Sequence, residues 1–425
     1  MNFVKELKWR GLIHDIMPGT EEKLSRGMAT GYIGYDPTAP SLHIGSLAPI
    51  MMQVLFQRAG HKPIVLVGGA TGMVGDPSGR SEERPLLAID EIRYNQEQIK
   101  KQLEKFLDFE KGKNAAEMVN NYDWFRGVEF LNFLREVGKH LTINYMLAKE
   151  SVKQRLEKGI SFTEFSYQLL QAYDFYWLYQ NKNCIFQMGG SDQWGNITAG
   201  TELIRRKASG EAFALTCPLI TRSDGSKFGK SEGENIWLSA DMTSPYKFYQ
   251  YWLNCPDSDA VEYINNFTLL SRDEIKGLVR EHKKAPHLRV LQKTLARDIT
   301  SRVHSSREVE IAEAAAEILF GKGTTGVLNQ LSEQDFLSVF EGVPQVTVPG
   351  HIIKKGINVV ELLATETTVF SSKGETRRLI QNGGLSINKE RVQNSEAIIG
   401  PGSLLNRKYI LIQKGKKNYV LLKTE

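Results

Sequence analysis

The sequence predicts an α/β protein: a parallel-sheet domain, then an all-helical domain, then a small basic α+β module. Three observations predict it. Through the first half, short β-rich runs end in glycine turns and give way to stretches of helical period. From about Ser244 to Glu341 the pattern turns helical and charged, as in Glu308-Val309-Glu310-Ile311-Ala312-Glu313. Finally, His351 to Glu425 hold 13 Lys/Arg against 6 Asp/Glu, so this segment carries the whole basic surplus of a chain with net charge +5.

Taken in order, Gly31 to Tyr35 reads as a strand and Asp36-Pro37-Thr38-Ala39-Pro40-Ser41 as a turn. The apolar-periodic stretch His43 to Ala59 is a helix. Pro63-Ile64-Val65-Leu66-Val67 is a strand of the kind buried on both faces, closed by Gly68 and Gly69. Ile89 to Phe109 is an amphipathic helix, and Cys184 to Met188 is a strand ending in Gly189-Gly190. Strand, glycine turn and helix recurring in this way suggest a Rossmann-type sheet, with ligands at the carboxyl ends of its strands. The boundaries follow composition: sheet domain 1–233, helical domain 234–341, a linker at 342–350 (GVPQVTVPG), and the basic module 351–425. Inside the module a helix from Gly374 leads to an Asn382-Gly383-Gly384 turn and a short strand, Leu385 to Asn388.

Apolar residues make up 41% and charged residues 24% of 425, the usual mix of a soluble globular protein. No run of 18 apolar residues appears, and MNFVKELKWR lacks the apolar core of a signal peptide, so a cytoplasmic protein without a membrane partner is expected. Cys184, Cys217 and Cys255 lie too far apart for a zinc knuckle or a disulfide framework. Buried, inert thiols and no zinc or other protein-held metal are the expectation. A basic surplus at one end points to a polyanion, because phosphate contacts are driven by charge; a solubilising tail is the alternative.

Two segments suit phosphates. In Asp36 to Ser46 a turn hands over to a helix, so backbone N–H groups and the positive helix end face a ligand. Gly45 would let a nucleotide approach the backbone, and His43 supplies a donor, although a histidine there also serves as a cap. The second segment, Gly225-Ser226-Lys227-Phe228-Gly229-Lys230-Ser231, sets two lysines three apart among glycines. It is no Walker loop, since Asp224 stands where that motif needs glycine; a solvated basic turn is the plain alternative. Nor does a G-x-G-x-x-G open a helix, which argues against a dehydrogenase.

Together, about 180 residues apart, HIGS and KFGKS resemble the HIGH and KMSKS signatures of class I aminoacyl-tRNA synthetases. The resemblance to bacterial tyrosyl-tRNA synthetases is then continuous: Gly31 to Thr38, Gly68 to Gly72 with Gly75 to Gly79, Phe165 to Asp174, and Gly189 to Asn196 all look like that family. Tryptophanyl enzymes share the fold, but they lack the basic tail, and an indole would not call for Tyr32 with Asp174. An RNA-binding protein that has lost activity is a further alternative, disfavoured by intact His43, Lys227, Lys230 and Asp174.

The resemblance implies an enzyme that joins L-tyrosine to tRNA(Tyr) through a tyrosyl-adenylate, using ATP with Mg²⁺ and no organic cofactor. Tyr32 and Asp174 would hold the phenolic hydroxyl; Tyr167, Gln171 and Asp76 the ammonium group, with Gln193 near the carboxylate. Gly34, Asp36, Gly45, Ser46, Gly189, Gly190, Asp192 and Phe228 would line the adenylate. Thr38 and His43 would donate to the terminal phosphate, and Arg80, Arg84, Lys227 and Lys230 would clamp the pyrophosphate. The spacing is compatible: on a helix Tyr167, Gln171 and Asp174 fall at i, i+4 and i+7, on one face. Ser46 replaces the second histidine of the signature, and Arg80 stands where lysine is commoner. The module from His351 resembles the αL RNA-binding fold, with Arg377, Arg378, Lys389 and Arg391 as RNA contacts. The helical domain would lie on the anticodon side. Relatives of this kind are homodimers, with the insertion from about Phe125 to Phe162 at the interface.

Overall fold

The runs rich in Ile, Val and aromatic residues pair as one sheet. Strands β1 (Asp15–Ile16), β2 (Thr30–Tyr35), β3 (Lys62–Val67), β4 (Glu117–Asn120), β5 (Cys184–Gly190) and β6 (Phe213–Cys217) lie in the order β1-β6-β5-β2-β3-β4. All neighbours are parallel except β1, which runs antiparallel to β6. β3 and β6 are buried almost throughout, which is why they read as continuous apolar runs and not as alternating ones. From β2 the chain winds outward through β3 to β4, then returns to β2's other side for β5 and β6. That reversal opens a crevice beyond the carboxyl ends of β2 and β5, the position where ligands bind in such sheets.

The helix Phe162–Lys182 precedes β5. Ser161 caps its start, accepting from the Glu164 N–H at 3.1 Å, and Asn183 ends it in the left-handed region with φ 50°. Its buried face carries Tyr167, Leu169, Ala172, Asp174, Phe175 and Leu178. Phe175 and Leu178 join Ile64, Leu66, Cys184 and Ile204 in a core that fixes Asp174 beside the sheet, while Leu169 and Ala172 pack in a second cluster with Leu141, Met146 and Leu203.

The structure, a computed structural model, describes residues 1–78, 87–156, 159–223, 225, 228–231, 234–320, 328, 332–340, 343–415 and 418–425. They form two units, Met1–Thr243 with Tyr251–Val303, and Ser244–Gln250 with His304–Glu425. The first adds to the sheet a hairpin of β7 (Lys230–Ser231) and β8 (Glu234–Asn235), and the helices Asp257–Phe267, Arg272–Lys284 and Val290–Val303. The stretch read as one helical domain is therefore shared between the units.

In the second unit, β9 (Gln345–Val348), β10 (Ile357–Asn358), β11 (Leu385–Ile387), β12 (Glu390–Arg391), β13 (Ile398–Ile399), β14 (Tyr409–Lys414) and β15 (Asn418–Thr424) form a pair, β10-β13, and a sheet ordered β12-β11-β14-β15-β9. β9 lies within the stretch read as a linker. It pairs in parallel with β15, and Val348 is fully buried in the core beneath that sheet. The helix Lys373–Gln381, its turn and β11 fall where the sequence places them. All three cysteines are free and buried, and no helix among the described residues is long and apolar enough to cross a membrane.

Candidate active site

The crevice is a cavity of about 1420 Å³, lined from β2, β3, β5, the turns after them and the helix Phe162–Lys182. Its floor is a chain of buried hydrogen bonds. The Asp174 carboxylate accepts from Trp124 Nε1 at 2.9 Å and from Asn121 Nδ2 at 3.1 Å. Asn121 Nδ2 also donates to Thr71 Oγ1 (3.0 Å), Thr71 Oγ1 donates to Asp36 (2.7 Å), and the Tyr167 hydroxyl donates to the other Asp36 oxygen (2.6 Å). Burial pushes the Asp174 carboxyl up to about 8, against the pull of its two donors. Beside it Tyr32 is buried, and its hydroxyl has no partner among the described residues. Burial, then the Asp174 charge, hold that phenol protonated well above its usual range. A buried polar group without a partner is costly, so an orphaned hydroxyl next to a carboxyl marks a place for a polar ligand atom.

Further along, Asp76 accepts from Gln193 Nε2 (2.6 Å), Asn196 Nδ2 (3.3 Å) and the Ser78 N–H (3.0 Å). Gln171 lines the same space, its side-chain oxygen buried and unpartnered among the described residues. Burial, then Asp76, raise the Asp192 carboxyl. Four aspartates, Asp36, Asp76, Asp174 and Asp192, thus line the cavity, and its described lining holds no lysine or arginine. Such a wall attracts an ammonium group and repels a triphosphate.

At the mouth, His43 caps the short 3₁₀ turn Ile44–Ser46: its Nδ1 accepts from the Gly45 N–H at 3.0 Å, which puts the ring proton on Nε2. Cap and donor are therefore one arrangement. Gly45 is needed by that cap, since a Cβ there would lie 2.6 Å from the His43 ring. The α-helix proper starts at Leu47, after this turn.

The cavity gathers Tyr32, Gly34, Asp36, Thr38, His43, Gly45, Ser46, Asp76, Tyr167, Gln171, Asp174, Gly189, Gly190, Asp192, Gln193 and Phe228, all named from sequence. Arg80, Arg84, Lys227 and the Lys230 side chain lie outside the described residues. Arg377, Arg378 and Arg391 are exposed in the second unit, and Lys389 donates to the Tyr419 hydroxyl. Sequence reasoning missed Thr71, Asn121, Trp124 and Asn196. Asn121 and Trp124 lie about 50 residues from Asp174 along the chain, and only the ending of β4 beside the helix brings them to it.

Residues 25–321 match the family model for tRNA synthetases class I (W and Y), and residues 335–422 that of the Tyrosine--tRNA ligase SYY-like C-terminal domain. The tyrosine--tRNA ligase of Cytophaga hutchinsonii is 62% identical over 424 residues, 99% of each chain. That of Porphyromonas gingivalis is 59% identical over 430 residues, covering all of both. This chain belongs to the class I tyrosyl-tRNA synthetases. The crystal structure of a C-terminally truncated mitochondrial tyrosyl-tRNA synthetase from Aspergillus nidulans superposes with a TM-score of 0.68 at 32% identity, covering 75% of this synthetase and 94% of that chain. The α/β sheet unit and the sheet-bearing C-terminal unit expected from sequence are those of the family.

Proposed function

We propose that the cavity of this synthetase activates L-tyrosine with ATP, releasing pyrophosphate, and then passes the tyrosyl group to a ribose hydroxyl of the terminal adenosine of tRNA(Tyr). The pair at the cavity floor carries the reading: a phenol that donates to Asp174 and accepts from Tyr32 pairs both groups. Phenylalanine would leave the Tyr32 hydroxyl unpaired, at a cost of about 1–3 kcal/mol, and would add no donor to those that Trp124 and Asn121 already give Asp174. Tyr167, Gln171 and Asp76 take the ammonium group, the last held in place by Gln193, Asn196 and Ser78. Gln193 lies near the substrate carboxylate. Gly34, Asp36, Gly45, Ser46, Gly189, Gly190, Asp192 and Phe228 line the adenylate.

The substrate carboxylate is ionised at neutral pH, so its in-line attack on the α-phosphorus needs no general base. Barrier lowering falls to positioning, and to donors and cations that meet charge moving onto the leaving pyrophosphate. Thr38 and His43 donate to the terminal phosphate. Because the described lining holds acidic side chains and no lysine or arginine, the triphosphate needs cations from elsewhere, which supports Arg80, Arg84, Lys227 and Lys230 as the clamp. Mg²⁺ arrives with ATP as part of the substrate.

The reaction is assigned to the cytosol, with the basic C-terminal unit meeting tRNA through Arg377, Arg378, Lys389 and Arg391. Tyrosine-dependent exchange of labelled pyrophosphate into ATP, without tRNA, tests the first step. Exchange with tyrosine and not with tryptophan or phenylalanine is expected. Exchange with tryptophan would overturn the roles of Tyr32 and Asp174, and no exchange from folded protein would overturn the activation step.

A further inference from the structure

The ring that follows Lys227 in sequence sits in an aromatic box. Phe228 stacks on Phe267 (centroids 5.4 Å apart, planes 6° apart) and meets Tyr263 edge-on at 5.1 Å, with Trp252 at 5.9 Å and Tyr251 at 6.2 Å. Trp252, Tyr263 and Phe267 are buried and pack on one another, so the walls are fixed by their own contacts. The next residue is held from three sides. The Gly229 N–H donates to the Tyr251 hydroxyl at 3.2 Å, and its carbonyl accepts from the Ile236 N–H at 2.9 Å. Gly229 has φ +91°, and a Cβ there would lie 3.3 Å from Ile44 and 3.6 Å from the Gly45 nitrogen. It therefore sits against the turn that carries His43. Ile44 and Leu42 are tied in turn to the strand leaving the hairpin, through Ile44 N–H to Ile236 O (3.0 Å) and Leu238 N–H to Leu42 O (2.8 Å).

We propose that Phe228 and Tyr251 are positioning residues for adenylate formation: the boxed ring and the hydroxyl on Gly229 fix the backbone between Lys227 and Lys230 against the His43 turn. The proposal rests on the reading of those lysines as the pyrophosphate clamp. Each lysine adjoins in sequence a residue fixed in this way, so less chain must be ordered when charge develops on the leaving group. Neither residue is asked to touch the pyrophosphate; Phe228 also lines the cavity on the adenylate side, so Tyr251→Phe, at a residue outside that lining, carries the test of positioning alone.

The test measures kcat and KM for ATP in tyrosine-dependent pyrophosphate exchange, together with the tyrosine Kd by equilibrium dialysis. The variants are Tyr251→Phe, Phe228→Ala, Phe228→Leu, Lys230→Ala, and Tyr251→Phe combined with Lys230→Ala. Tyr251→Phe, which keeps the ring and removes one acceptor, is expected to lower kcat about threefold to tenfold. Phe228→Ala is expected to cost about tenfold to a hundredfold, with part recovered in Phe228→Leu. Tyrosine Kd stays unchanged throughout, and Tyr251→Phe costs less once Lys230 is alanine. Unchanged kcat in Tyr251→Phe and Phe228→Ala, an equal loss of tyrosine affinity, or an undiminished Tyr251→Phe effect in the Lys230→Ala background would each overturn the proposal. A neutral Lys230→Ala would overturn the clamp reading beneath it. A slow Lys230→Ala beside neutral Phe228 and Tyr251 variants would reject the positioning role alone.

Discussion

Asp174 is held between burial, which favours its neutral form, and two donors, which favour the anion; its pKa near 8 records that burial wins in the free protein. A phenol that donates to it needs the anion, so tyrosine binding should release a proton at pH 7. Affinity should then rise between pH 6 and 8 and level off above. Calorimetry in buffers of different ionisation enthalpy reads this directly; proton uptake, or a flat profile, would mean that the carboxyl donates instead. Stability carries the opposite sign. The native state keeps its proton between the ordinary value of 3.8 and about 8, so the group's contribution declines as pH rises through that window. Asp174→Asn should therefore flatten the fall of Tm with pH while abolishing tyrosine recognition. A Tm profile that still falls as steeply in Asp174→Asn would place the cause elsewhere. On the proposed clamp role, Lys230→Ala should slow adenylate formation and leave the tyrosine Kd alone, because such a contact would strengthen in the transition state; equal losses in both would reject that role.

Elements with a strong period of their own were legible in the sequence; elements made by distant pairing were not. The helix Phe162–Lys182 shows its polar stripe at i, i+4 and i+7, and β3 its apolar run, because both signals are local. Asn121 and Trp124 carry no such signal, since neither belongs to a periodic face. β9 misleads for a related reason: four residues between Pro344 and Pro349 look like a linker until β15, more than 70 residues later, supplies the partner. The two readings predict different mutants. A linker would tolerate Val348→Asp. A strand over the core would not, and the substitution should destabilise the C-terminal unit by about 3 kcal/mol or more, since it buries a charge and removes apolar packing. Denaturant unfolding of the variant measures this, with pyrophosphate exchange expected to persist; a loss under about 0.5 kcal/mol would return 345–348 to linker status.

Across the whole chain, charge and apolar surface are partitioned, and each partition points to a partner. The basic surplus beyond His351 suits a polyanion. The apolar exposure gathers instead in the insertion: Phe130 (62% exposed), Leu131 (78%), Ile143 (65%) and Phe162 (67%) stand in water with Leu134 and Leu156 nearby in sequence. Single exposed apolar residues are ordinary, but a cluster of large ones in one segment is the mark of a covered surface. The occupant that fits the family resemblance is a second copy meeting the same surface, since closed two-fold pairs use one patch twice. Wild-type protein should sediment at twice the 48.0 kDa of one chain. The double variant Leu131→Lys with Phe162→Glu should sediment as one chain at micromolar concentration, with its far-ultraviolet dichroism unchanged. These side chains make little contact within their own chain, so a loss of fold would have to come from the lost pairing. A variant that remains dimeric would move the interface off the insertion, and a monomeric wild type would leave these apolar side chains to a different partner.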